Sequence, residues 1–293
     1  ILFHLAQKDP NGNPTNGITR RISNLYNQGT DQAKIDGWPN NKYLNIWVVN
    51  TFDASHNGAA AYAYTPQSAN GIPYYDGVIS LASYLNTDNT ISHEVGHSLN
   101  LSHVWGNTNN AGVGCGDDNV DDTPPTKGHN PVGCVPAALY DVTCATNYIR
   151  NGIDYPDTVN AQNVMDYTYC SKMFTQLQMA RCRTALSAAT AGRNNLWSAA
   201  NLSATGILNT PTDLTPIADF SASKLWSVLG VVLPIAITFK NQSWRDTISS
   251  LQWSFSNAPS ISTATNSSVA NLFNAPGWVS AKLVATSNAG KDS

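Results

Sequence analysis

The stretch "TISHEVGHSLNLSHVWG", residues 90–106, holds three of the chain's six histidines together with Glu94. On an α-helix, residues four apart lie on one face. A helix from about Asn89 to Asn100, N-capped by Asp88 or Asn89, therefore points His93 and His97 the same way. Glu94 sits one step around, within reach of a water beside them but displaced from direct ligation. This is the HExxH arrangement, in which two neutral imidazoles hold zinc and a carboxylate serves as general base. Catalytic zinc keeps one position open to solvent, so it needs a third protein ligand and no fourth. His103 supplies that ligand if the chain turns sharply at Asn100, with Leu99 and Leu101 packed beneath. Asn is, after Gly, the residue that adopts positive φ at least cost. The rival reading, a histidine-rich structural helix, leaves the joint spacing of His93, Glu94, His97, Asn100 and His103 unexplained.

Working outward from this helix, residues 1–86 alternate strand-like runs ("ILFHLA", "YLNIWVVN", "AAAYAY", "DGVISLA") with turn clusters such as "DPNGNPTNG" and "WPNN". A further helix is expected around Ile18–Asn27. Strands mixed with helices indicate an α/β layer. From Gly106 to Val159 the chain is rich in Gly, Asn, Asp, Pro and Cys, and a loop of that length needs a fastening. A second helix begins at Thr175, where "TQLQ" offers a capping box with Gln178.

Beyond about Leu208 the character changes. After the linker-like "NTPTDLTP" come strict alternations: Ile235, Ile237, Phe239; then Leu251, Trp253, Phe255; then Val279, Ala281, Leu283. Short alternating strands between Asn, Ser, Gly and Pro turns predict a small β-sandwich, with the boundary near residue 210.

The 293 residues allow one large or two modest domains. A formal charge of −3, with 12% charged residues, gives no electrostatic case for nucleic acid or for a membrane surface. No apolar run approaches the ~20 residues of a membrane span. The opening "ILFHLAQKD" reads as a strand and not as a signal peptide, so a signal or pro-segment is expected outside this sequence. The cysteines are Cys115, Cys134, Cys144, Cys170 and Cys182, without a CxxC pair. Two disulfides in an oxidising compartment plus one spare thiol is the preferred reading. Four cysteines permit three pairings, which the residues alone leave open. Cys182 falls on a helical apolar repeat with Met179, Leu186 and Ala189, as a buried thiol would.

"HEVGHSLNLSH" resembles the HExxHxxGxxH signature of the metzincin zinc peptidases, with Asn100 where that family has Gly. "NVMDYTYC" resembles their methionine turn. Together with "YLNIWVV" upstream and "CGDDNVDDTP" downstream, the pattern is similar to the pappalysin (ulilysin-like) branch over roughly residues 1–208. The resemblance implies an α/β (α+β) metzincin-like catalytic domain over residues 1–210, built on a mixed, mostly parallel sheet and the active-site helix. It implies Zn2+ on His93, His97 and His103, Glu94 as general base, Met165 beneath the metal, and Tyr167 as oxyanion donor. The expected activity is that of a secreted zinc endopeptidase, with a protein or peptide substrate laid along "GAAAYAYTP" as an edge strand.

Related pappalysins bind Ca2+ in the loop matching "CGDDNVDDTPPT", which nominates Asp118, the Val120 carbonyl, Asp122 and Thr123; the competing reading is a solvated acidic turn. The family pattern implies crossed disulfides, Cys115 with Cys144 and Cys134 with Cys170. A preference for basic residues in the family uses an Asp just ahead of the cysteine after the methionine turn. Here Tyr169 stands there, so specificity is left open among Asp154, Asp157 and Asp166.

"PIADFSAS", "AITFKNQS" and "LQWSFSNA" resemble a PKD-type, Ig-like module over residues 211–293, a spacer or a contact to matrix or polysaccharide. Outside the enzyme class, the chain reads as a catalytically weak zinc-containing adhesin or as a carbohydrate-binding protein with a structural metal. The intact Glu94 and the lack of a fourth ligand near His103 speak against both.

Overall fold

The computed structural model describes all residues except 87–88, 146, 155–156, 209–212, 226–233, 257 and 264–267. The chain divides into two compact units, residues 1–3 with 20–203, and residues 4–19 with 204–293.

The first unit is mixed α+β. Its main sheet contains β1 (Ile46–Val49), β2 (Ala61–Ala63) and β3 (Val78–Leu81) in the order β1-β3-β2. β1 runs parallel to β3, with Trp47 opposite Ile79, and β2 runs antiparallel to it, with Tyr62 opposite the same Ile79. The expected mostly parallel sheet is thus corrected to one parallel and one antiparallel pairing among the described residues. Parallel neighbours need a crossover. The β1–β3 connection contains one, including β2, and the short helix α1 (Pro66–Ala69) lies between β2 and β3. Trp47, Val49, Ile79 and Tyr62 form one apolar core with Ala33 and Leu25.

Two N-terminal expectations fail. Residues 1–6 form no strand, and Leu2, Phe3 and Leu5 are exposed. A strand is stable only against a partner, and none pairs with this segment among the described residues. Residues 18–27 give only a 3-10 turn, Asn24–Asn27, started by the Ser23 hydroxyl. Ile18 and Ile22 are both exposed, so the apolar face that would have nucleated a helix buries against nothing.

The histidine stretch forms α2 (Thr90–Ser98). Asp88 lies outside the described residues. Asn89 is the N-cap residue, yet its side chain donates to the Ser171 carbonyl instead of capping the helix. Downstream lie α3 (Pro136–Leu139) and the hairpin β4–β5 (Ile149–Arg150, Ile153–Asp154). Then come α4 (Gln176–Ser187), α5 (Arg193–Leu196) and α6 (Ala199–Ala204). α4 starts with the capping box at Thr175, whose hydroxyl accepts from the Gln178 amide while the Gln178 side chain accepts from the Thr175 amide. Disulfides join Cys115 to Cys144 and Cys134 to Cys170, and Cys182 is a free, buried thiol that burial pushes up to about 11.

In the second unit the described regular elements of residues 205–293 are strands. β6 (Phe220–Ala222), β7 (Ile235–Asn241) and β10 (Ser268–Phe273) form one antiparallel sheet. β8 (Ser250–Phe255), β9 (Ala258–Thr263), β11 (Ala281–Ser287) and β12 (Gly290–Asp292) form the other. Phe239 and Phe273 of the first meet Leu251, Trp253, Phe255 and Leu283 of the second in one core, as the alternation predicts.

Candidate metal centre

Three imidazoles converge at the end of α2. His97 Nε2 lies 3.1 Å from His93 Nε2 and 3.2 Å from His103 Nε2, and the three ligand atoms fall within 4.8 Å of one another. Each opposite nitrogen faces a main-chain carbonyl: His93 Nδ1 that of Val164 at 2.7 Å, His97 Nδ1 that of Leu101 at 2.8 Å, and His103 Nδ1 that of Thr108 at 2.9 Å. A carbonyl only accepts, so every Nδ1 carries the hydrogen and every Nε2 presents a lone pair. Three lone pairs aimed at one point with no hydrogen among them suit a cation, and this fixing of tautomers by outer partners is how metal-ligating histidines are held. Burial, then the neighbouring imidazoles, push His93 down to about 3 and His103 to about 2, and burial lowers His97 as well. The rings are therefore neutral at working pH, with no proton for a metal to displace. No fourth His, Cys, Asp or Glu joins the group among the described residues.

The turn that delivers His103 is a Schellman motif. Asn100 has φ of 73°; its amide donates to the His97 carbonyl, and the Leu101 amide donates to that of Gly96, both at 2.9 Å. Leu99 and Leu101 are buried below. Asn100→Ala is expected to cost about 1 kcal/mol and Asn100→Gly to match or exceed the wild type. Urea unfolding of both measures this, and an alanine variant as stable as the wild type contradicts the need for a left-handed residue.

Met165 is fully buried against α2, the helix that carries His93 and His97. A Cβ on Gly96 would lie 2.6 Å from its sulfur, so the helix can approach the methionine only because position 96 has no side chain. The Val164 carbonyl that orients His93 is the residue just before it. Asn163 Oδ1 accepts from the Met165 amide at 2.9 Å, and its Nδ2 donates to Gln178 Oε1 at 2.8 Å. Gln178 Nε2 in turn donates to Asp118 Oδ2 at 3.2 Å. A buried chain of hydrogen bonds thus fastens the methionine turn to α4 and to the acidic loop. The second disulfide fastens Cys170 to Cys134, in the segment that follows the acidic loop.

Glu94 is buried, accepts from the Ala63 amide of β2, and is pushed up to about 8 by that burial. Tyr167 is half-buried, with ring centroids 4.9 Å from His103 and 5.6 Å from His93. Burial and then the charge of nearby Glu94 push its phenol up to about 12, so it is a hydrogen donor at working pH.

Trp105 adds an aromatic wall to the site. It stacks on His103 at 4.5 Å with an interplanar angle of 2°, and meets Tyr167 edge-on at 4.9 Å. Its Nε1 shares the Thr108 carbonyl with His103. Gly128, at positive φ, passes so close that a Cβ would lie 2.1 Å from the indole. No local periodicity marks such a stack; only the tryptophan two residues from a ligand hinted at it.

The acidic loop is occupied mainly by internal bonds. Arg150 pairs with Asp117 at 2.8 Å and with Asp121 at 2.9 Å. Asp118 is buried, accepts from the Val120 amide and Gln178, and burial pushes it up to about 7. Asp122 Oδ2 caps the Leu177 amide, whereas Asp122 Oδ1 and Thr123 Oγ1 are buried without a partner. Val120 is buried with its carbonyl accepting from the Thr123 amide. Of the acids considered for specificity, Asp154 and Asp157 are exposed. Asp166 is buried and fully used by His129 and Tyr167.

The peptidase family M43, described as pregnancy-associated plasma protein-A, matches residues 27–187, just over half the chain. This chain belongs to the M43 (pappalysin) family. Membership makes it a metzincin metallopeptidase and implies zinc, and the matched span contains the three histidines, Glu94 and the methionine turn. The M43 match ends with α4 and does not reach the second unit. No curated protein matches the chain. Among the described residues no helix is long and apolar enough to cross a membrane.

Proposed function

We propose that this chain is a secreted zinc endopeptidase acting through Glu94 and Tyr167. The observation that carries the proposal is the set of three convergent Nε2 lone pairs beside a buried carboxylate, with no fourth ligand among the described residues. His93, His97 and His103 would hold the ion, which when bound supplies Lewis acidity to a water and to a peptide carbonyl. Glu94 takes the proton of the attacking water and passes it to the departing amine. Tyr167 donates its phenolic hydrogen to the oxyanion formed on the carbonyl. The peptide lies along β2, an edge of the sheet, where Ala61 and Ala63 leave room for a second chain. Met165 packs and does not ligate. The two disulfides support an extracellular setting. Casein or a quenched peptide library tests the activity. Cleavage is expected that a chelator stops and zinc restores; hydrolysis indifferent to chelation contradicts the assignment.

The unpartnered Asp122 Oδ1 and Thr123 Oγ1, beside Asp118 and the Val120 carbonyl, support a structural calcium ion in the acidic loop. Calcium at constant zinc is then expected to raise Tm, and an unchanged Tm at saturating calcium removes the site. For the second unit, the two sheets around one core support a PKD-like, Ig-like module over residues 211–293 serving as spacer or matrix contact. Deleting it should leave cleavage of a soluble peptide intact and reduce that of insoluble matrix; equal losses on both contradict an accessory role.

A further inference from the structure

Outside the metal centre, one partly buried histidine has an acid on either side of its ring. His129 lies in the loop between the two disulfide-bonded segments, one residue after Gly128, which abuts Trp105. Its Nδ1 is 2.7 Å from Asp166 Oδ2, and its main-chain amide donates to Asp166 Oδ1 at 3.0 Å. The same Oδ1 accepts from the Tyr167 amide at 2.7 Å. One carboxylate therefore ties the His129 loop to the residue proposed as oxyanion donor. On the far side of the ring, Asp141 Oδ2 stands 3.8 Å from Nε2, which is buried and has no hydrogen-bond partner.

We propose that His129 is a positioning residue for Tyr167, acting through the Asp166 carboxylate; the functional part of this rests on the hydrolytic reading above. A neutral ring must give its hydrogen to Nδ1 to satisfy Asp166, leaving Nε2 a buried lone pair facing a second carboxylate. A protonated ring keeps its hydrogen bond to Asp166 and adds an ion pair with Asp141 across 3.8 Å, bridging the two carboxylates electrostatically. The hydrogen bond to Asp166, then the charges of Asp166 and Asp141, outweigh burial and raise His129 above the ordinary histidine range. The charged groups facing it are Asp166 and Asp141, with Lys127 acting on Asp141 from the same loop. Because the folded value is raised, the bridge is complete below about pH 6.5 and is lost as pH rises through the folded value. Loss of the imidazolium frees Asp166 to shift, and with it the Tyr167 backbone, so catalysis acquires an alkaline limb set by His129.

The zinc-loaded protein, labelled with 15N-tyrosine, provides a test that needs no substrate. The Tyr167 amide is expected to titrate together with the His129 ring, with a common midpoint above 6.5, and His129→Asn should abolish that step. Kinetics provide the second arm. His129→Leu should lower kcat about tenfold or more with KM within about twofold. His129→Asn, whose side-chain amide can still donate to Asp166, should recover most of that loss while flattening the alkaline limb. A Tyr167 amide that stays put while His129 titrates overturns the proposal, as does a His129→Leu enzyme of undiminished kcat. A protein that cleaves no peptide while its Tyr167 amide follows His129 sustains the bridge and overturns the hydrolytic reading instead.

Discussion

Glu94→Gln is expected to abolish measurable peptide hydrolysis while the zinc content stays at one ion per chain. General-base catalysis contributes about 10²–10⁴-fold, and the buried setting of Glu94 offers water no replacement. Glutamine keeps the shape and the acceptor for the Ala63 amide, so the loss falls on proton transfer and not on packing. The same substitution should raise stability when the metal is removed. Burial holds the folded carboxyl at about 8, above its ordinary 4.5. This reverses the usual carboxylate case: between those values the unfolded chain releases a proton that the folded one retains, and folding weakens as pH rises. Metal-free Glu94→Gln should therefore exceed metal-free wild type by on the order of 1–3 kcal/mol at pH 7, the gap closing below about pH 4.5. Urea titrations at both pH values check this. A variant that cleaves peptide normally rules out Glu94 as the base.

Arg193→Ala should produce the largest loss of stability. Its guanidinium grips Asp76 bidentately, at 2.6 and 2.7 Å, with both side chains almost wholly buried. Nε donates to the Ser98 carbonyl at 3.0 Å, satisfying one of the orphan acceptors at the end of α2. Asp76 also accepts from Asn40 and from the Gly77 amide leading into β3. This one arginine thus joins the C-terminal helices to the sheet and to the end of the metal-binding helix. Removing it strands a buried carboxylate, at a cost of about 3–5 kcal/mol, or a Tm lower by on the order of 10 °C. Arg193→Lys should recover little, since an ammonium cannot reproduce the fork. The double change Arg193→Met with Asp76→Leu should recover much of the loss, because burying no charge is cheaper than burying one unpaired. A loss under about 1 kcal/mol for the alanine variant contradicts this account.

What the sequence disclosed follows from the range over which its signals act. His93, Glu94 and His97 are spaced by helix geometry, and Asn100 marks the turn to His103; both rules are local and legible. The capping box at Thr175 and the alternation of β7 and β8 are legible for the same reason. The strand expected at Ile1–Ala6 and the helix expected at Ile18–Asn27 depend on a surface to bury against, and tertiary context overrode their propensities. The Arg193–Asp76 pair, 117 residues apart, and the His129–Asp166 pair, 37 apart, left no periodic trace. Gly96 was readable as a helix residue but not as the gap Met165 fills. Gln178 was found as a cap and proved to be a hub connecting Asn163 with Asp118.

The central claim is a single zinc ion on three imidazoles with one position left for solvent. X-ray absorption at the zinc edge of the purified protein tests it most directly. Four nitrogen or oxygen neighbours at about 2.0–2.1 Å are expected, with the outer-shell signature of three imidazoles that falls to two in His103→Ala. A sulfur neighbour at about 2.3 Å, or a zinc edge absent from freshly purified protein, would contradict it.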